Sequence, residues 1–276
     1  MTTPSPAPSP SPEVLRAFGL DGPVVRLPGG RGLAVLVGGA VLVPQPDEVA
    51  GAWAADLAER TRSDAVRLPR PLRSADGRAV VDGWTAAEHV DGVDSPAGRW
   101  GEVLAAGRAL HRAWRDEPVP GWVGRRRGPW ADADRAAWDD TAATAGPTTS
   151  VLVDELVSAR RPLPAVLRDQ LVHGDLTGNV LLPRRPREVP TVIDVSPYQR
   201  PAEAALAIVV VDGLLWHGAP DDLVTRADLG AAGPQLLLRA ALFRLLVADT
   251  LAGGGPLDDL PGHERVARRV LGLVRR

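Results

Sequence analysis

The chain has no cysteine and no lysine: all 32 of its Lys+Arg residues are arginine. The first absence excludes disulfides, thiol catalysis and zinc–thiolate sites. The second removes any ammonium that could clamp a phosphate, form a Schiff base or act as a general base. Other aromatics are scarce beside the eight tryptophans, with one tyrosine and two phenylalanines, so aromatic packing must rest on tryptophan. An excess of either charge is also missing. The formal net charge of -2 gives no global electrostatic case for a nucleic-acid partner or an anionic membrane. The longest apolar run, Ala204 to Trp216, is interrupted by Asp212 and suits a buried helix better than a membrane span. Met1 to Pro12 alternates proline with serine and lacks a basic segment or an apolar core. It reads as a disordered tail rather than a signal peptide. These features describe a cytoplasmic protein.

What is present is an ordinary globular composition, 45% hydrophobic and 24% charged over 276 residues, enough for one large domain or two lobes. The Ala, Arg, Gly, Pro and Val bias without lysine points to a GC-rich bacterial genome. Short β-type runs at Val24–Leu27, Leu33–Val37 and Ala40–Val43 are separated by Pro28-Gly-Gly-Arg-Gly32 and by the hairpin signal Gly38-Gly39. Asp47 is placed to cap a helix through Arg62 with Val49, Ala52, Trp53 and Leu57 inward. Two further strands are expected at Ala65–Leu68 and Arg78–Trp84. A connector, Ala86 to Gly92, follows. Beyond it the pattern is helical at Glu102–Trp114, Asp132–Asp140, Val151–Arg160, Pro201–His217, Gln235–Leu251 and Glu264–Val274. Arg239 and Arg244 should lie on a wetter face of their helix or pair with acids. The expected class is α+β: residues 1–12 a tail, 13–85 a β-rich lobe and 86–276 a mainly helical lobe.

The chemistry concentrates in Leu171-Val-His-Gly-Asp-Leu-Thr-Gly-Asn-Val-Leu-Leu182, followed by Val192-Ile-Asp194. Two apolar runs flank His173, Asp175 and Asn179, and a later β-type run ends in Asp194. Asp175 can accept the proton of a substrate hydroxyl. Asn179 and Asp194 offer the hard oxygens that suit Mg²⁺, which fills its shell with phosphate and water. His173 is better placed to brace the loop than to move protons. Gly29, Gly30, Arg31 and Gly32 form a turn whose backbone N–H groups could face a phosphate.

The run from His173 to Leu182 resembles the catalytic loop of the aminoglycoside phosphotransferase and choline kinase-like superfamily, which has the protein-kinase fold. Val192-Ile-Asp194 resembles its metal-binding strand end, Gly107-Arg-Ala-Leu-His111 its helix after the hinge, and Leu27-Pro-Gly-Gly30 its nucleotide loop. The resemblance spans Pro23 to Trp216. It implies a two-lobed kinase-like fold, ATP and Mg²⁺ as cofactors, and transfer of phosphate to a small-molecule hydroxyl. Asp175 would be the catalytic aspartate with His173 beside it, Asn179 and Asp194 would hold magnesium, and Gly29, Gly30, Arg31 and Gly32 would cover the phosphates. The backbone of Ala86–Glu88 would meet the adenine, and His111 would pack and hydrogen-bond behind the loop.

Three departures accompany the resemblance. The third-strand lysine that the family pairs with a helix glutamate is missing, and Ala40-Val-Leu-Val43 carries no substitute. Glu48 and Glu59 lack an obvious partner, and Arg31, Arg67 or Arg70 would have to replace the lysine. Asp175-Leu-Thr-Gly-Asn179 is one residue shorter than the kinase spacing, so Gly178 should supply a positive φ that turns Asn179 inward. No glycine follows Asp194. An alternative reading is therefore a pseudokinase that binds a ligand or a protein partner. A metal-dependent hydrolase using His173, Asp175 and Asp194 fits poorly with a single clustered histidine.

Overall fold

The computed structural model describes residues 8–28, 32–138, 140–185 and 187–275. Its contacts divide the chain into two compact units, Met1–Val93 with Pro183–Ile193, and Asp94–Leu182 with Asp194–Arg276.

The first unit opens with helix α1 (Pro12–Ala17). The Ser11 side chain accepts the Val14 N–H, and Pro12 takes the first helical turn, where its missing N–H costs nothing. The Pro/Ser run is thus not all tail. It ends in a capped helix whose Val14, with Phe18 just after it, enters the sheet core, while Met1–Ala7 lie outside the described residues.

Strands β1 (Val25–Arg26), β2 (Val35–Val37) and β3 (Ala40–Pro44) follow. Gly38 and Gly39, at φ +57° and +81°, form the expected tight turn and set Val37 opposite Ala40. Helix α2 (Glu48–Arg60) is capped by Asp47, whose carboxylate accepts the Ala50 N–H at 3.0 Å. Its buried residues are Gly51, Ala55 and Leu57, and Val49 is exposed, so the inward stripe is rotated from the one expected. Gly51 explains this, because a Cβ there would stand 2.6 Å from both the Gln45 and Val80 side chains. The helix approaches its neighbours through its glycine.

Strands β4 (Pro71–Leu72), β5 (Val80–Val81) and β6 (Trp84–Glu88) complete an antiparallel sheet ordered β1-β2-β3-β6-β4, with β5 also on β6. Two strand expectations change here. Ala65–Leu68 forms no strand, only a bridge from Arg67 to Thr191, since Pro69 and Pro71 interrupt the donors a ladder needs. Arg78–Trp84 is not one strand but two, broken by an Asp82-Gly83 turn with φ of +46° and +73°. The core unites Val35, Val37, Leu42, Val81, Trp84 and Ala86 with the α1 side chains.

The second unit contains α3 (Trp100–Ala113), a 3-10 turn at Val123–Arg125, α4 (Pro129–Ala137), α5 (Ser150–Ser158), β7 (Gln170–His173) and β8 (Val180–Leu181). After β9 (Thr191–Val192), which belongs to the first unit, it resumes with β10 (Pro197–Arg200) and α6 (Ala202–Trp216). Helices α7 (Leu223–Arg226), α8 (Gly233–Leu251) and α9 (Leu260–Val274) complete it. Helix α8 is the hub, packed against α4, α5, α6 and α9. Strand β10, which is not among the strands expected from the sequence, pairs antiparallel with β7; proline is tolerated there as the first strand residue. Among the described residues no helix is long and apolar enough to cross a membrane.

Candidate functional site

Strand β7 carries the chain into the polar loop, with Leu171, Val172 and His173 buried. Pro197 sits opposite His173, and the Gly174 N–H donates to the Ser196 carbonyl at 2.9 Å. A Cβ on Gly174 would lie 2.4 Å from the Tyr198 ring, so the aromatic face occupies the space of any side chain. On the other side Leu176 is fully buried and approaches α3 at Gly107, where a Cβ would stand 2.7 Å from the Leu176 Cδ1. The loop is thus held between an aromatic ring and a helix backbone.

Behind it are two buried histidines. The His173 N–H donates to His111 Nε2, and the Asp175 N–H donates to His173 Nδ1, both at 3.1 Å. His111 is fully enclosed, and burial, with His173 beside it, lowers its pKa to about 3. A neutral ring accepting at Nε2 carries its proton on Nδ1. His173 therefore braces the backbone that presents Asp175, and His111 braces His173.

The Asp175 side chain is 46% exposed and available to a substrate. Gly178 adopts φ +80°, which turns Asn179 back over the loop as the shortened spacing requires. The Asn179 amide donates to the Asp175 carbonyl at 2.7 Å and approaches the Asp175 Oδ2 at 3.4 Å. With the Nδ2 so committed, the Oδ1 is the atom Asn179 has left for a cation. Asp194 is exposed, just after β9, and adopts left-handed backbone at φ +50°, two residues before the Ser196 carbonyl that holds Gly174. This donor set, one amide and one carboxylate oxygen, is of the hard type that fits magnesium. Among the described residues there is no group of three or more His, Asp or Glu side chains able to hold a metal alone. Phosphate and water would have to supply the rest of the shell.

The residues that the sequence reading undervalued are Asp212 and Arg244. Arg244 pairs with acids, the second of the two placements expected for it, and Asp212 is buried with its helix: Arg244 is 6% and Asp212 2% exposed. The Arg244 Nε donates to Asp212 Oδ1 at 2.7 Å and its Nη2 to Asp212 Oδ2 at 2.6 Å. The same Nη2 donates to Asp175 Oδ1 at 2.9 Å. Burial raises the Asp212 pKa while Arg244 opposes that shift. Burial also works against the Arg244 charge, but the two carboxylates outweigh it and raise its pKa. The guanidinium lies 5.1 Å from the Phe243 ring centroid and 5.7 Å from that of Trp216, which is 50% exposed. A signal existed in the sequence: one acid, Asp212, in the apolar run of α6 and two arginines, Arg239 and Arg244, in that of α8, charges with no cheap way to be buried unless paired. Arg239 is also buried, and it donates to backbone and amide oxygens of Arg161 and Gln235.

In the first unit, Gly29, Gly30 and Arg31 lie outside the described residues; Gly32 has φ +65°, and its carbonyl accepts from Arg26 at 3.3 Å. Glu59, for which no partner was evident, is bound by Arg73 at 2.8 Å, and Arg73 also reaches Asp56 at 2.6 Å. Arg67 is paired with Glu88, whose carboxylate also accepts the Arg70 N–H at 3.0 Å. Ala86 and Ala87, expected to present backbone to an adenine, lie in β6 between β3 and β4. The connector begins only after Glu88.

No family model and no curated protein matches the chain by sequence. Solved structures do match by fold. A thermostable mutant of aminoglycoside phosphotransferase APH(4)-Ia, crystallised with AMP-PNP and hygromycin B, aligns at a TM-score of 0.60 and 15% identity, covering 95% of this chain and 97% of that one. Spectinomycin phosphotransferase APH(9)-Ia, in complex with ADP and spectinomycin, aligns at 0.57 and 13%, covering 95% and 96%. A choline/ethanolamine kinase family protein from Mesorhizobium loti aligns at 0.51 and 17%, covering 96% and 90%. The chain has the protein-kinase-like fold of these phosphotransferases.

Proposed function

We propose that the protein is an ATP- and magnesium-dependent phosphotransferase acting on a hydroxyl group of a small molecule. The observation that carries this reading is the Asp175 carboxylate. It is half-exposed, its backbone is braced by His173, and Asn179 is folded against it. In the reaction, the acceptor oxygen forms a bond to the γ-phosphorus as the bond to the β-phosphate oxygen breaks, and the acceptor proton passes to Asp175. The Asp175 carboxylate orients the hydroxyl, while the Asn179 Oδ1 and Asp194 would hold magnesium, which when bound offsets charge on the phosphates. Gly29, Gly30, Arg31 and Gly32 keep the phosphate-covering role that their resemblance gives them. Arg31 and Arg70 stay in this proposal as replacements for the lysine; Arg67, committed to Glu88, is the weaker candidate.

A second reading, a pseudokinase that binds a ligand or protein partner, is favoured by one specific observation. The chain has no lysine to complete a phosphate clamp. Thermal unfolding with ATP, with and without magnesium, separates the two readings. The phosphotransferase should be stabilised by the pair more than by ATP alone. Stabilisation without any phosphate transfer, unchanged in Asp175→Ala, supports the pseudokinase.

A further inference from the structure

The geometry points to Arg244, locked by Asp212, as the positioning residue that fixes which face of the Asp175 carboxylate meets the acceptor; this rests on the phosphotransferase reading above. A guanidinium has five N–H donors in a rigid plane, and a terminal nitrogen has two of them. The Arg244 Nη2 places one on Asp212 Oδ2 at 2.6 Å and the other on Asp175 Oδ1 at 2.9 Å. Because the Nε also holds Asp212 Oδ1 at 2.7 Å, the fork cannot rotate without breaking a buried pair. Asp212 therefore sets the plane of the guanidinium, and the guanidinium sets the position of Asp175 Oδ1.

The consequence falls on the other carboxylate oxygen. With Oδ1 held from inside, Oδ2 is the oxygen left for an acceptor, with the Asn179 amide 3.4 Å from it. The shortened loop makes this external hold useful, because the Asn179 amide makes its short contact to the Asp175 backbone carbonyl rather than to the carboxylate. The side chain of a half-exposed aspartate has two χ angles to lose, and a buried donor fixes them before substrate arrives. The residues come from three separate elements: the loop after β7, α6 and α8. The buried charge pair thus ties two core helices to one oxygen of the Asp175 carboxylate.

The test compares three proteins by two readouts. Arg244→Lys keeps the charge but lacks the planar fork that holds Asp212 through two nitrogens while a third N–H reaches Asp175. The double variant Arg244→Met/Asp212→Leu removes the pair together, so that no lone charge is left buried to unfold the helices. The first readout is magnesium-dependent hydrolysis of ATP, with water as the acceptor, alongside ATP binding by calorimetry. The expected result is a 10- to 100-fold fall in kcat in both variants, with ATP affinity within about twofold of wild type. An unchanged kcat in folded Arg244→Lys and in the folded double variant overturns the assignment. So does a loss confined to ATP affinity. The second readout is a crystal structure of the double variant, in which the Asp175 carboxylate should leave its wild-type rotamer or spread over several. A carboxylate that stays in place shows that Arg244 does not position it. If wild type itself neither binds nor hydrolyses ATP, the phosphotransferase reading fails, while the crystallographic comparison still decides the positioning role.

Discussion

The Tyr198 ring lies against the backbone of Gly174, so close that a Cβ on Gly174 would stand 2.4 Å from it. The only tyrosine of the chain is thereby spent on the residue before the candidate catalytic aspartate. Gly174→Ala should force the ring or the loop aside and cost about 1–3 kcal/mol. Urea unfolding measures the loss, and Tyr198→Leu in the same background should recover part of it by removing the obstructing ring.

Gly178 presents a different case, since nothing stands within 4 Å of a Cβ there and only its φ of +80° resists substitution. Gly178→Ala should cost roughly 1–2 kcal/mol through left-handed strain. Gly178→Asn should cost less, because asparagine visits that region more readily. If the two variants weaken magnesium-dependent ATP binding in the same order, the turn is what presents Asn179. Equal binding by all three proteins would separate the turn from the ligand site.

Buried charge makes the third prediction. Arg244→Met leaves Asp212 without its partner in a site where the carboxylate is 2% exposed, and should destabilise the protein by about 3–5 kcal/mol. Adding Asp212→Leu should restore most of that stability, since an apolar pair of similar volume avoids the desolvation of two ions. Chemical denaturation of the single and double variants checks this. A double variant no more stable than the single one would contradict it.

His111 predicts how stability responds to acid. Its folded pKa, about 3, lies below the ordinary histidine value because burial disfavours the cation. As pH falls below about 6.5 the unfolded chain takes up this proton first, so stability falls between there and about pH 3, by up to about 1.4 kcal/mol per pH unit. Denaturation midpoints at pH 7 and pH 4.5 measure the slope, and it should flatten in His111→Gln. The same slope in both proteins would assign the acid sensitivity elsewhere.

Much of this was legible in the residues. Gly38-Gly39, the Asp47 cap and the helix periodicities place most elements within a few positions, since each rests on local chemistry. The polar loop was legible for the same reason, because His173, Asp175, Gly178 and Asn179 are neighbours in the chain. What stayed hidden depends on partners far apart in sequence. The rotated face of α2 follows from Gly51 meeting Val80, and the hold on Asp175 comes from Arg244, 69 residues away. Asp82-Gly83 could have been read, as it carries a standard hairpin signal, but it sat inside a run whose hydrophobicity suggested one strand.

The most direct test is release of inorganic phosphate from ATP by wild type and by Asp175→Asn, each with and without magnesium. The account predicts magnesium-dependent turnover in wild type that falls at least 100-fold in the variant, with ATP still bound by both. Equal rates in the two proteins, or no magnesium-dependent turnover in wild type, would contradict it.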